Sequence, residues 1–594
     1  METGGGGDGR AAERGFLVAL AAVALVFFPW VASPFALKQE LTLLLFGVAC
    51  NWWAWRHPSP AAQMSRPAWI ALLFVLAAVG SALGARNPPV AWSSLSLLAL
   101  GVLLFLFGHL RLWSPAFPRA FAAMVFWTSV PVAALGLAQA ALPGRLDFGL
   151  QALGKMAAFS TLGNPQFVAA WLVFALPLAP AIAATSTSRR ARSAVLAAAA
   201  VAALCLILTR SASGLLALGA AVLVMVAARA RRPFPTRILV GLALAIPLAA
   251  VYLGLATHSG RGRIMIWMET ILIWIKHPWL GVGLGQYNLY QLEAQHRFFA
   301  LGDWTQRFQQ NASFVLDAHN QYLQLLAEQG VIGLGLFVWL VVVVLREARS
   351  RARDPLMGAL AAAWCGLLVL FLWNAPLFYA PVLVLFWTTA GILAPSPASV
   401  PVAASRRPPI LRVATALWAC VAGMLFWGAL RAGALEKRGD ALLESGPFPA
   451  AVESYEAALR WTAQNGYLWE KLALAQYFGG DTAAALASLA PARERFGDVG
   501  ILYLEAEILT RRREYTRAIP RFAFIRDAFP QHVTPSFALG QIYREQGDYA
   551  RAEAEFVRVL DLPDSRANLK LDRRKIAIQR ALAFRFLAEL RRRE

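Results

Sequence analysis

Residues 317–333 read DAHNQYLQLLAEQGVIG and pass from a polar loop into a long apolar helix. Asp317 and Asn320 are residue types that cap the start of a helix. The apolar stretch that follows, at about 321–345, is long enough to cross a bilayer, which requires about 20 residues. The segment therefore predicts a membrane-spanning helix, and it places His319 where a polar loop meets the membrane.

The composition of the whole chain favours a membrane protein. Of its 594 residues, 58% are hydrophobic, and the mean hydropathy is +0.52. A net charge of +22 would suggest nucleic-acid binding in a soluble protein. Here the arginines lie in short runs between apolar segments, which indicates membrane topology instead. The four cysteines lie in apolar stretches without metal-ligand spacing, so we interpret them as structural thiols.

Thirteen apolar segments are candidate spans, and the first is interpreted as an uncleaved span and not as a signal peptide. They lie at about 15–33, 36–55, 67–85, 91–110, 120–141, 163–186, 193–209, 213–229, 237–256, 321–345, 356–373, 378–394 and 410–430. The predicted fold is all-α: a polytopic membrane bundle of about 12–13 spans followed by a helical solenoid. We expect a cytoplasmic tail at 1–14, a membrane domain at 15–430 and a repeat domain at 431–594.

The distribution of arginine orients these spans. With the N-terminus inside, every second connection is rich in arginine, as the positive-inside rule requires, for example at residues 189–192 and 346–353. The alternate connections carry little charge, apart from the long segment at 257–320. We therefore expect that segment and the tail after residue 430 to share the outer side of the membrane.

The tail has a repeat of tetratricopeptide length. Four short motifs recur at successive spacings of 34, 33 and 34 residues: GPFPAA (446–451), GDTAAA (480–485), REYTRA (513–518) and GDYARA (547–552). This is the period of tetratricopeptide repeats, which stack into a concave surface. The sequence leaves open whether this surface stabilises the protein or binds an envelope protein.

Two isolated arginines at the outer boundary carry the functional interpretation. Arg210 lies in Thr209-Arg210-Ser211, which connects two spans on the outer side. The outer connections of this chain otherwise contain few arginines. Arg263 and Trp267 have the i, i+4 spacing that places both on one face of a helix at the membrane surface. Each arginine could instead be a simple interfacial anchor. The turn that follows, with Gly283-Leu284-Gly285, has no preceding strand, so we reject a nucleotide-binding loop.

His319 stands apart from the other histidines. Of the seven, it alone begins a span beside the outer polar loop. A lone histidine is more often structural, and the capping residues beside it favour that alternative. A base and two fixed cations at one face of a membrane nevertheless suit chemistry on an anionic, lipid-linked substrate.

These motifs, in this order, resemble the O-antigen ligase superfamily, which includes O-antigen ligases, O-antigen polymerases and bacterial O-linked oligosaccharyltransferases. The resemblance covers about 160–395 and includes FSTLGNPQF at 159–167. It implies metal-independent transfer of an undecaprenyl-diphosphate-linked glycan to an acceptor hydroxyl at the periplasmic face. By the same resemblance Arg210 and Arg263 hold the diphosphate, Trp267 contributes to the substrate site, and His319 is the general base.

Several alternatives stay open at this point. The acceptor could be a glycolipid, another lipid-linked glycan or a protein, which would make the enzyme a ligase, a polymerase or a protein O-oligosaccharyltransferase. A non-catalytic membrane scaffold that displays the repeats is an alternative of another class, but it would not need Arg210, Arg263 and His319 on one face. No acidic cluster indicates a metal, and no cofactor is predicted.

Overall fold

The computed structural model describes residues 5–56, 65–142, 145–146, 158–229, 257–396, 409–563 and 573–592. Within these residues the chain is helical and contains no strand, which confirms the predicted all-α class. The structure has three parts: a bundle of apolar helices, an outer loop at 257–320, and a series of paired helices after residue 445.

Twelve helices and most of a thirteenth form the bundle. They are α1 (Gly5–Leu25), α2 (Pro34–Arg56), α3 (Arg66–Leu83), α4 (Pro88–His109), α5 (Phe117–Ala141), α6 (Pro165–Ala175), α7 (Ala179–Ala184), α8 (Arg189–Leu208), α9 (Ala212–Arg229), α12 (Gln321–Arg351), α13 (Pro355–Leu370), α14 (Ala380–Leu393) and α15 (Pro409–Ser445). The outer loop contributes α10 (His258–Lys276) and α11 (Tyr287–Phe299).

Eight helical segments of the described residues are long and apolar enough to cross a membrane. Two shorter apolar helices, α13 and α14, occupy further predicted spans. The first two predicted spans, at about 15–33 and 36–55, overlap α1 and α2, which are not among these eight segments, and α1 begins at Gly5, inside the predicted tail. The predicted span at 237–256 lies outside the described residues. The chain is therefore a multi-pass membrane protein.

Two predicted spans are not continuous helices. The segment predicted at 163–186 consists of α6 and α7, joined by a 3₁₀ turn at Leu176–Leu178. Pro177 in this turn has no N–H to donate to the preceding helical turn, so the α-helical ladder is interrupted there. Helix α12 is interrupted at Gly330, whose φ of 66° is not helical.

Small residues bring α4 and α14 into close contact at the centre of the bundle. A side chain at Gly391 would begin only 2.2 Å from the carbonyl oxygen of Phe105, and one at Gly101 would overlap the ring of Trp387. Close approach at small residues is the usual means by which membrane helices pack. This contact lies in the buried core of the bundle.

The C-terminal helices form four successive pairs. The helices after α15 are α16 (Phe448–Leu459), α17 (Gly466–Phe478), α18 (Thr482–Arg495), α19 (Val499–Arg511), α20 (Tyr515–Ala528), α21 (Val533–Glu545), α22 (Tyr549–Asp561) and α23 (Arg573–Leu590). The closely packed pairs are α15 with α16, α17 with α18, α19 with α20, and α21 with α22, and α23 packs on α22. The second helices of successive pairs begin 34, 33 and 34 residues apart. The helical period thus matches the sequence repeat, while the assignment to the tetratricopeptide family stays a prediction.

The repeat helices pack directly on the outer loop. Met265 and Phe298 of the loop share one buried apolar cluster with Phe522 and Leu539 of the repeats. The side-chain amide of Gln295 also donates a hydrogen bond of 2.9 Å to a repeat carbonyl. A shared core requires that the outer loop and the repeats lie on the same side of the membrane.

We therefore expect the outer loop and the repeats to face the outer compartment together. Reporter fusions after Ser399 and after Gly446 should report opposite sides, because the apolar part of α15 separates them. Gly446 is a suitable site because it lies in the turn after α15. If both fusions report the same side, α15 does not cross the membrane and the repeats are cytoplasmic.

Candidate functional site

Arg210 occupies a strained turn between α8 and α9. Its φ of 54° is left-handed, a conformation that costs a non-glycine residue about 1–3 kcal/mol. The hydroxyl of Ser211 donates to Oε1 of Gln166 at 2.8 Å, and Ser213 donates to the same oxygen at 3.3 Å. These bonds fix the turn, and the Arg210 side chain is exposed.

His319 occupies a second strained turn, directly before α12. Its φ is 48°, also left-handed. Asn320 caps the helix by accepting hydrogen bonds from Tyr322 N and Leu323 N at 3.0 and 3.1 Å, as the sequence predicts. The capping role therefore belongs to Asn320, which leaves the half-exposed imidazole of His319 available for another task.

Hydrogen bonds join these two turns. The side-chain amide of Asn374 donates to the hydroxyl of Ser213 at 3.1 Å. The carbonyl of Asn374 in turn accepts from the backbone N–H of Gln321 at 3.1 Å. The network thus runs from the Arg210 turn through Asn374 to the first residue of α12. The structure therefore brings Arg210 and His319 to the same end of the bundle.

Asp317 orients the imidazole of His319. Its Oδ1 lies 3.1 Å from Nδ1 of His319 and also accepts a 2.8 Å hydrogen bond from the His319 backbone N–H. A carboxylate that accepts from Nδ1–H leaves Nε2 of a neutral imidazole as a proton acceptor. The arrangement of an oriented base is the one that general-base chemistry needs.

Arg263 lies on α10, one turn before Trp267 on the same helix. Its side chain is half-buried, and burial lowers the pKa of its guanidinium. Helix α10 packs against α12, but no hydrogen bond within the described residues joins Arg263 to the Asn374 network. It stays a prediction that Arg263 lies close to Arg210 and His319. It also stays a prediction that Trp267 contacts the substrate.

Neither Arg210 nor Arg263 has a counter-charge among the described residues. Among the residues that the structure describes, none forms a hydrogen bond or an ion pair with the guanidinium group of Arg210 or Arg263. The indole Nε1 of Trp267 is likewise buried without a described partner. Donors of this kind, at one face of a membrane protein, suit an anionic ligand with several acceptor oxygens.

Comparison with protein families identifies this region. Residues 197–338 match the family model described as O-antigen ligase. This part of the chain is similar to O-antigen ligases. The matched range contains Arg210, Arg263, Trp267 and His319, and it runs from α8 into α12. No curated protein matches the chain. The repeats lie outside the family match.

The matched range also contains two buried carboxyl groups that the sequence analysis missed. Burial raises the pKa of Glu269 to about 8, and its Oε2 accepts a 3.0 Å hydrogen bond from Gln291. Glu328 accepts from Gln324 at 2.9 Å and from Tyr287 N at 3.2 Å. For both Glu269 and Glu328, the sequence feature that could have predicted a buried carboxyl group was a single acidic residue among apolar neighbours in a helix.

The glycine-rich turn after α10 packs against the interruption in α12. Val282 N donates to Ala327 O at 2.9 Å, and Val331 N donates to Pro278 O at 2.9 Å. A side chain at Gly330 would begin 2.1 Å from the carbonyl oxygen of Trp279. These glycines therefore permit two backbone segments to touch, and they hold α10 beside the helix that follows His319.

Gly330→Ala should destabilise the domain. The new Cβ would overlap backbone and strain a left-handed residue, which costs about 1–3 kcal/mol from the backbone conformation alone. Thermal unfolding of the purified protein in detergent should show a lower Tm. Gly335→Ala, in the same helix with nothing within 4 Å of its Cβ position, is the matched control. An equal Tm for both variants would contradict the close contact.

Proposed function

We propose that this membrane enzyme of O-antigen ligase type is a glycosyltransferase of the bacterial inner membrane. It transfers a glycan from undecaprenyl diphosphate to an acceptor hydroxyl at the periplasmic face. The observation that carries the proposal is the hydrogen-bonded pair of strained turns, which presents an unpaired arginine and an oriented histidine at one end of the bundle. The family match over both turns supports it.

The proposed reaction is a direct displacement at the anomeric carbon of the donor. The acceptor oxygen forms the new glycosidic bond, and the bond between that carbon and the diphosphate oxygen breaks with its electron pair. Nε2 of His319 takes the acceptor proton as the oxygen attacks. Asp317, bonded to Nδ1, stabilises the imidazolium that forms.

The arginines bind the diphosphate before and after the bond breaks. Guanidinium groups stay charged and make forked hydrogen bonds to phosphate oxygens. Negative charge grows on the leaving diphosphate, so fixed cations lower the barrier by stabilising it. Arg210 and Arg263 suit this role because neither has a described counter-ion to displace. The lowered pKa of Arg263 reflects burial, which strengthens its attraction for an anion.

His319→Ala should abolish most transfer and leave donor binding largely intact. Loss of a positioned general base costs about 10²–10⁴ in rate. The measurement is transfer by the purified enzyme from a lipid-linked donor, with donor binding measured separately. His277→Ala, a change at the end of α10, is the matched control. Full activity in His319→Ala would remove histidine from the mechanism.

Arg210→Lys and Arg263→Lys should both impair transfer. Lysine keeps the charge but loses the forked geometry, so the leaving diphosphate is held less well in the transition state. A chelator should leave the rate unchanged, because the arginines supply the electrostatic stabilisation. Strict dependence on a divalent metal would contradict this assignment, as would full activity in both lysine variants.

The acceptor is identified by the products that the host makes. Deleting the gene and comparing lipid-linked, lipid-A-linked and protein-linked glycans distinguishes the three reactions. Loss of lipid-A-linked glycan identifies a ligase, shortened lipid-linked chains identify a polymerase, and loss of protein-linked glycan identifies a protein glycosyltransferase. Unchanged glycans of all three kinds would favour a scaffold.

A further inference from the structure

A cleft of about 530 Å³ lies between the outer loop and the repeats. Four parts of the chain line it: Arg86 in the connection before α4, Leu292 and Glu293 on α11, the stretch 493–502 from the end of α18 into α19, and Phe524 on α20. The proposed reaction uses none of these residues. Because the walls come from separate parts of the chain, the cleft exists only when the repeats are docked on the loop.

The charges around the cleft are nearly balanced. Two arginines, Arg86 and Arg493, and three acidic residues line it, the latter being Glu293, Glu494 and Asp498. Some of them already form ion pairs: Glu293 with Lys276 and Arg297, and Arg493 with Glu505. The cleft therefore has no excess of cations for a diphosphate and does not suit the charged part of a lipid-linked donor. Carboxylates accept hydrogen bonds and guanidinium groups donate them. The lining therefore offers both kinds of partner to an uncharged ligand rich in hydroxyl groups.

Apolar surface lies between these polar groups. The rings of Phe496 and Phe524 are half-buried in the cleft beside Leu289 and Leu292. A sugar ring has an apolar C–H face and a rim of hydroxyls, so it can cover an aromatic ring while its edge makes hydrogen bonds. Binding sites that combine apolar walls with a few placed polar groups are typical of small organic ligands.

The cleft lies within reach of the candidate catalytic site. The ring of Phe496 is in edge contact with Phe314, with 5.4 Å between centroids. Phe314 is five residues before His319 in the chain, and five extended residues span at most about 18 Å. A saccharide chain whose first sugar is at His319 can therefore reach the cleft with a few units.

We propose that this cleft binds the saccharide chain of the donor, a few sugar units beyond the reacting one. The inference rests on the proposed function and extends it to a second subsite. The donor carries a glycan in the ligase, the polymerase and the protein glycosyltransferase alike, whereas the acceptor differs among them. All three reactions therefore need a site for the donor glycan, whereas the kind of acceptor site differs from one reaction to another.

Binding without catalysis tests the subsite. The probe is the oligosaccharide released by mild acid from the host's lipid-linked donor, and the protein is the full chain in nanodiscs. Glu494→Ala, Phe496→Ala and Arg86→Ala should each weaken binding by roughly fivefold or more, as loss of a central contact does. Phe478→Ala removes an exposed phenylalanine elsewhere on the repeats and should leave binding unchanged. Wild-type protein that binds no oligosaccharide would overturn the proposal.

A transfer assay with two donors identifies which glycan occupies the cleft. For a donor with several repeat units, Glu494→Ala and Arg86→Ala should raise KM at least about fivefold with little change in kcat. For a donor with a single sugar, neither variant should change KM. If the variants raise KM equally for both donors, or raise only the KM of the acceptor, the cleft does not bind the saccharide chain of the donor. Oligosaccharide binding without any transfer would contradict the proposed function and leave the glycan site intact.

Discussion

The candidate site depends on the hydrogen bonds by which Asn374 connects Ser213 to the first turn of α12. These bonds fix two residues, Arg210 and His319, in left-handed conformations that neither would adopt in a free loop. Strain of this kind persists only where surrounding contacts over-determine it, and it concentrates at functional sites. Replacing the Asn374 side chain would remove its hydrogen bond to Ser213, whereas the backbone carbonyl that accepts from Gln321 would remain.

The membrane helices and the two turns follow from local features of the sequence, and so they could be predicted. Apolar length locates spans, and the arginine runs assign Arg210 and His319 to one side. The interruptions at Pro177 and Gly330 could not be located in the same way, because hydropathy averages over a window and does not register one missing hydrogen bond or one left-handed residue. The role of Asn374 was also unpredictable, since its partners are distant in sequence.

The repeat period predicted the paired helices but not the surface that they cover. Met265 and Phe298 of the outer loop are buried against repeat residues such as Phe522. Apolar side chains facing lipid and apolar side chains facing another helix look alike in one sequence. The hydrogen bond that Glu269 accepts from Gln291 of the neighbouring helix is likewise a tertiary contact that the sequence does not reveal.

The parts of the proposed donor correspond to distinct parts of the protein. In the proposed complex the polyprenyl chain lies in the bilayer beside the apolar bundle, and the diphosphate lies at the two arginines that have no partner among the described residues. The saccharide belongs further out, where charges of both signs and aromatic rings meet between the loop and the repeats. An enzyme that holds an amphipathic substrate at both ends fixes the anomeric carbon between them, and that positioning itself lowers the barrier to transfer.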